Sequence, residues 1–129
     1  MSQSLEVILA RQVASSLAVP ILLVNPNGDL LYFNEAAEPI LGKRFDETGE
    51  LRRGQWSKAF QPENADGSPI AREEQPLYIA TEHHRPAYRR GWIRGLDGVR
   101  RHIEGIAFPL IGSGDRFLGA LGIFWEVSD

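Results

Sequence analysis

Residues 21–33 read Ile21-Leu22-Leu23-Val24-Asn25-Pro26-Asn27-Gly28-Asp29-Leu30-Leu31-Tyr32-Phe33. The opening four residues form a continuous apolar run, the pattern of a short strand buried on both faces. Asn25-Pro26-Asn27-Gly28 ends it. Asn-Gly is the strongest short hairpin signal, because both residues accept the positive φ of a type I′ turn. Residues 29–33 are therefore expected to return as a second strand. Asn34 then stands as the N-cap of a short helix over Glu35-Ala36-Ala37-Glu38, and Gly42 closes that helix as a C′ glycine.

Upstream, Leu5, Ile8, Leu9, Val13 and Leu17 recur at helical spacing and draw one apolar stripe. Ser2 or Ser4 can cap this helix, Glu6 suits the positive end of its dipole, and Pro20 stops it. Downstream, Phe45, Leu51, Trp56 and Phe60 are scattered among polar residues over 43–70, where short helical turns and loops are expected. Pro76 suits the first turn of a further helix that runs toward His83 and His84. Residues 87–96 and 99–110 flank a second hairpin signal, Asp97-Gly98, with the same two-residue turn expected. Gly112-Ser113-Gly114-Asp115 is a third turn, before a last strand over 116–127.

That last strand contains Phe117-Leu118-Gly119-Ala120-Leu121-Gly122-Ile123-Phe124-Trp125. Alternation places Phe117, Leu121, Ile123 and Trp125 on one face, with Leu118, Ala120 and Phe124 on the other. Both faces are apolar, as they are in residues 21–24. These two strands therefore belong together at the centre of a sheet. A two-strand and a three-strand meander joined there give an α+β fold with a five-stranded antiparallel sheet of order 2-1-5-4-3. Helices cover one face. The amphipathic amino-terminal helix, residues 1–18, is the element left to lie on or beside the other face, and residues 19–129 form the domain proper. The helical stripe is expected to serve the back of the sheet together with a second subunit, making a homodimer through Leu5, Ile8, Leu9, Val13, Leu17 and Trp125.

Composition narrows the function. The 129 residues are 43% hydrophobic and 24% charged with a net charge of −3, so nothing global argues for nucleic acid or a membrane surface. There is no cysteine. That excludes disulfides, iron–sulfur clusters, thiolate zinc sites and cysteine nucleophiles. The first residues lack a basic segment followed by an apolar run, and the longest apolar stretch, residues 18–24, is too short to cross a bilayer. A soluble, cytoplasmic protein is expected.

Three segments carry a resemblance over nearly the whole chain: LAVPILLVNPNGDLLYFNEAAEPILG (residues 17–42), DGSPIAREEQPLYIA (66–80) and RGLDGVRRHIEGIAFPLIGSGDRFLGALGIFWEV (94–127). No one piece is specific, but the ordered set resembles a PAS domain. The resemblance implies a sheet and helices enclosing a pocket, an amino-terminal helix that often dimerises, and sensing or protein–protein signalling rather than catalysis. It also implies a neighbouring output domain or protein as partner. Without cysteine, neither the flavin–cysteinyl adduct nor the cysteine-linked coumarate chromophore of photosensory relatives can form. The resemblance further brings in His83 and His84 as haem-ligand candidates. Neighbouring helical residues point about 100° apart, so at most one can face a pocket, and with no second signal the reading goes against haem. The cofactor is left unknown.

On this plan the ligand pocket is expected to be lined by Phe33, Ile40, Leu41, Phe45, Leu77, Trp92, Ile103, Leu121 and Ile123, with Asn34 and Tyr78 as polar contacts. The plain alternative is that these side chains fill one another as core, and that Asn34 is only a cap. Arg85, Arg89, Arg90, Arg94, Arg100 and Arg101 crowd one hairpin, in a span (85–101) whose one acidic residue is Asp97. They read as an anion site or, preferably, as a charged strand surface that resists edge pairing. A two-residue turn would set Arg94 opposite Arg101. Glu73, Glu74 and Glu82 read as helix charges rather than as acid–base pairs. The expected function is a ligand- or partner-sensing module that dimerises. A ligand-free interaction scaffold is the alternative, ahead of a haem sensor or a small isomerase-type enzyme.

Overall fold

The computed structural model describes residues 5–127. The caps expected at Ser2 and Ser4 lie outside them. In chain order the elements are helix α1 (Leu5–Ser16), strands β1 (Ile21–Val24) and β2 (Leu30–Phe33), and a single 3-10 turn (Glu35–Ala37) running into α2 (Glu38–Leu41). Short helices α3 (Phe45–Thr48) and α4 (Arg53–Ala59) follow, then α5 (Pro76–His83) and strands β3 (Ala87–Arg94), β4 (Arg100–Ile111) and β5 (Phe117–Glu126). The sheet is antiparallel throughout, in the order β2-β1-β5-β4-β3. Central pairing of the two doubly apolar strands is therefore as expected, and all four residues of β1 are buried.

Both outer strands of this sheet are covered by the irregular middle of the chain. Leu51 exchanges two backbone hydrogen bonds with Leu30 on β2 (2.8 and 3.0 Å), and Glu63 exchanges two with Trp92 on β3 (2.7 and 2.9 Å). Each contact occupies backbone groups that would otherwise template pairing with another chain.

The two hairpin turns differ from expectation. Val24 pairs with Leu30, leaving a five-residue loop in place of a two-residue one. Gly28 N–H bonds to the Asn25 carbonyl at 2.9 Å, and only the glycine takes positive φ (+85°), so Asn27 does not. Pro26 explains this. Its locked negative φ suits position i+1 of a type I turn and excludes type I′. Asn25 reinforces the loop, its Oδ1 accepting from the N–H groups of Asn27 and Asp29. The β3–β4 hairpin repeats the device: Gly98 N–H bonds to Gly95 O and Gly98 has φ +81°. Its register sets Arg94 opposite Arg100, not Arg101. Arg101 instead reaches Asp97 at 2.8 Å and the Ile40 carbonyl at 3.0 Å, fastening the hairpin to α2.

Strand β5 does not alternate cleanly. A bulge between Leu110 and Ile111 of β4 leaves Leu118 as the extra residue, next to Gly119 at φ +125°. A Cβ at Gly119 would run into the Val24 carbonyl oxygen, so the bulge requires glycine there. It moves Leu118 to the back of the sheet, with Leu23 and Leu31, and Phe117 to the helical side, where its ring stacks on His84 at 4.0 Å. The strict alternation expected for these two residues is thereby overturned.

Helix α1 lies on the back of the sheet, but not by the expected face. Val7 and Ala14 are its buried residues, with Ala10 beside them against Leu23, Leu31, Leu118 and Leu121. Small side chains let the helix come close to the sheet, and Arg11 lays its guanidinium over the Tyr32 ring at 4.6 Å. The longer stripe turns outward: Leu5 is 67%, Val13 60% and Leu9 50% exposed, and Ile8 and Leu17 are exposed too. Two apolar cores result. The front one gathers Leu22, Val24, Phe33, Ile40, Phe60 and Phe124, and the back one holds α1.

Candidate functional site

Sheet front, α4, α5 and the chain between residues 60 and 78 enclose a cavity of about 620 Å³, within the range of small-molecule sites. Its wall is mainly apolar: Leu22, Val24 and Phe124 from the sheet, Phe60 and Ile70 from the middle segment, and Leu77 from α5. Glycine at 105 and 122 and alanine at 107 keep the sheet floor low. A Cβ at Gly122 would already touch Leu22 and Leu77 at 3.4–3.5 Å.

Several polar groups of the wall are satisfied within the protein. Thr81 Oγ1 donates to the Leu77 carbonyl (2.8 Å), Gln75 Nε2 to Ile70 O (3.1 Å) and Trp56 Nε1 to Gly28 O (2.9 Å). No Asp, Glu, His or Lys is among the described residues of the wall. The charged ones are all arginines, and Arg89 Nε is a buried donor without a partner.

Of the residues expected to line a pocket, Leu41, Leu77, Tyr78, Trp92, Ile103 and Ile123 border this cavity. Two of these border it edge-on. Strand alternation turns Trp92 and Ile123 to the back, where the Trp92 indole is sandwiched between His102 (4.4 Å) and the Arg100 guanidinium (4.3 Å). Phe33, Ile40 and Phe45 pack as core, with Phe33 and Phe45 edge to face at 5.3 Å. Leu121 belongs to the back core with α1. The sequence reading overlooked Phe60, Ile70, Phe124 and Arg89. Phe124 was legible from the β5 pattern, whereas Phe60 and Ile70 lie in irregular chain with no periodicity to place them.

Asn34 is fully buried and lies away from the cavity. Its Oδ1 accepts from Ala37 N–H (3.2 Å), as a cap should, and also from Ile21 N–H (3.0 Å). Its Nδ2 donates to the carbonyls of Ala14 (2.9 Å), Val19 (2.8 Å) and Leu17 (3.3 Å). One side chain thus joins the end of α1, the start of β1 and the turn after β2.

His83 and His84 do not face the cavity. His84 caps α5 in left-handed conformation (φ +53°) against Phe117, and His83 meets Tyr78 edge-on at 6.0 Å. Among the described residues no group of three His, Cys, Asp or Glu is placed to hold a metal ion. The crowded arginines are mostly paired: Arg89 with Glu74, Arg90 with Glu104, Arg100 with Glu63 and Arg101 with Asp97. Arg101 holds the Asp97 carboxyl well below its ordinary value, at about 2, aided by Val99 N–H.

A twisted five-stranded sheet of order 2-1-5-4-3, with short helices over one face and an amino-terminal helix behind, is a known arrangement. The chain superimposes on the PAS domain of Bordetella pertussis BvgS with a TM-score of 0.60 at 17% identity, covering 96% of this chain and 87% of that one. The fold is that of a PAS domain. The PAS domain of nitrogen regulation protein NR(II) from Vibrio parahaemolyticus matches at 0.62 and 16% identity, over 92% of this chain and 98% of its own. The LOV protein of Rhodobacter sphaeroides matches at 0.75 and 14% identity, over 97% of this chain and 69% of its own. No protein-family model and no curated protein matches by sequence. Among the described residues no helix is long and apolar enough to cross a membrane.

Proposed function

We propose that the chain is a sensory module that takes a small, mostly apolar ligand into the cavity and signals as a homodimer through α1. The observation that carries this is the 620 Å³ space left open at the centre of a PAS fold, between a glycine- and alanine-floored sheet and the helical segment. A wall without Asp, Glu, His or Lys among the described residues leaves Tyr78 as its one ordinary acid–base side chain, which supports a binding role over catalysis.

A second copy is the occupant proposed for the outward stripe of α1. Leu5, Ile8, Leu9 and Val13 are exposed in one row of α1, and Leu17 just beyond its end, Val19 and Trp125 are exposed apolar residues too. Such a row on one chain is matched by the same row on another across a two-fold axis. Asn34 offers a route between ligand and interface, because it bonds at once to the end of α1 and to Ile21 at the start of β1, next to Leu22 of the cavity wall. A ligand shifts such an equilibrium only by its differential affinity for two arrangements of α1.

Native mass spectrometry of freshly purified protein tests the reading: a retained small molecule or a ligand-dependent mass supports it. A dimer of clean apo mass that no apolar probe alters would instead favour a ligand-free interaction scaffold. That second reading draws on the open back of β3 and β4, where Tyr88 is 56% and Trp125 37% exposed around Glu104.

A further inference from the structure

The sheet floor of the cavity carries the glycines Gly91, Gly105 and Gly122, and two of them are covered from above. A Cβ at Gly91 would run into Ile70 Cδ1 at 2.9 Å, and one at Gly122 would touch Leu22 and Leu77 at 3.4–3.5 Å. Both glycines therefore let apolar side chains settle on the sheet. Gly105 is different. The atoms that a Cβ there would meet within 4 Å are Phe124 Cβ (3.5 Å) and the Ile123 carbonyl oxygen (3.6 Å), both from the neighbouring strand β5. Among the described residues nothing from the helical side of the cavity comes that near. Gly105 accordingly stays half-buried on an inner strand, whereas Gly122 is buried.

A glycine inside a strand weakens it, and it marks a bulge, a bend, or a place where another backbone or a ligand comes close. The structure offers no bulge, bend or backbone approach at Gly105. It pairs with Arg89 on one side and Phe124 on the other, in unbroken register with its neighbours. Its φ is not positive, so its conformation is open to other residues. The one backbone atom near it, Ile123 O, lies at ordinary contact distance for a Cβ. An aromatic ring can shield a glycine on the next strand, but of the Phe124 side chain only Cβ comes within 4 Å. Room for a ligand is the reason that remains.

On the reading that the cavity is a ligand site, we propose that the apolar body of the ligand rests on the bare backbone of β4 at Gly105, and that the missing side chain there sets how large a ligand is accepted. Gly91 stands opposite Ile103 and Gly122 opposite Ala107, the residues two places to either side of Gly105 along β4. The two covered glycines therefore flank the open one, and Ile70 and Leu77 border the seat between them. Each carbon added at position 105 takes its volume from the ligand. Gly105 is thus a specificity-determining residue, and the protein gives up some strand stability to keep it.

The experiment is calorimetric titration of the full chain with 2-naphthol, 4-phenylphenol and 1-octanol, together with proton NMR of the complex. In wild type the tightest-binding probe is expected to show nuclear Overhauser contacts to the Gly105 Hα protons. In Gly105→Ala it should bind about tenfold weaker, the scale of one methylene in an apolar pocket, and in Gly105→Val more weakly still. Alanine should leave the urea unfolding midpoint at or above that of wild type, since it narrows the unfolded ensemble. Weaker binding by a chain no less stable is not what general loss of structure produces. Contacts to Phe60, Ile70 or Leu77 without any to Gly105, affinity unchanged in either variant, or a lowered midpoint in Gly105→Ala overturns the role of Gly105 and leaves the ligand cavity standing. Binding of none of the three probes, or binding with no contact to the cavity wall, overturns both.

Discussion

Replacing Asn34 by alanine removes the joint between α1 and the sheet, and its effect can be worked from the contacts. The Ile21 N–H loses its acceptor and the Val19 carbonyl loses a 2.8 Å donor, and no backbone group of that corner bonds to either. Leaving a buried polar group unpaired costs about 1–3 kcal/mol, and loss of an N-cap about 1 kcal/mol. Water entering the vacated space offsets part of this, so a loss of about 3–5 kcal/mol is expected. Against a total of roughly 5–15 kcal/mol for a domain of this kind, that is a large fraction. With a urea m-value near 2 kcal/mol/M, the unfolding midpoint should drop by about 2 M. Hydrogen exchange should show amides at the end of α1 losing protection before those of β1 and β5. Asn34→Asp separates the two halves of the joint. It keeps an acceptor for Ile21 and Ala37, removes both donors, and faces a carboxylate toward three carbonyls, so α1 should detach while the sheet persists. A loss below about 1 kcal/mol for Asn34→Ala, or unchanged protection of α1, would refute the reasoning.

The same structure makes other expectations. Gly119→Ala should lower stability by about 3 kcal/mol or more in urea unfolding, since it combines positive φ with a clash against the Val24 carbonyl; a loss near that of an ordinary surface change would mean the bulge can relax. The Asp97 carboxyl is held at about 2 by Arg101, below its ordinary 3.8. Because the folded value is depressed, this contribution to stability is fully present above about 3.8 and lost as pH falls through about 2. Carbon-13 NMR should find the Asp97 titration moved up in Arg101→Met, and an unmoved titration would contradict the pairing. The double variant Ile8→Glu with Val13→Glu, both on the outward stripe, should sediment as a monomer at concentrations where the wild type is dimeric. At dilutions where both proteins are monomeric, its unfolding should change by no more than about 0.5 kcal/mol per site, as befits positions exposed on the single chain.

Much of the fold was written in short patterns. Doubly apolar residues 21–24 and 117–125 could lie only at the centre of a covered sheet, and Asn34, Gly42 and Pro76 punctuate the helices where local backbone chemistry demands it. Turn type was misread because Asn27-Gly28 was weighed without Pro26, whose locked φ decides the loop. The candidate site was half legible. Leu41, Leu77, Tyr78 and Ile103 were found from their elements, but Phe60 and Ile70 approach from chain that has no period to read.

By itself the sequence determined the element order, the central strand pair and the chemistries that a chain without cysteine cannot perform, because these follow from local propensity, pattern and residue type. Only the tertiary structure decided which face of α1 meets the sheet. Small Val7, Ala10 and Ala14 pack closer than the longer stripe, a matter of distance between surfaces that periodicity does not encode. It likewise decided that Leu118 crosses to the back through one glycine bulge, that Asn34 joins three segments, and that Arg89 keeps a buried donor without a partner. Each depends on groups far apart in the chain arriving at one point, where shape and unpaired hydrogen bonds, rather than spacing, set the outcome.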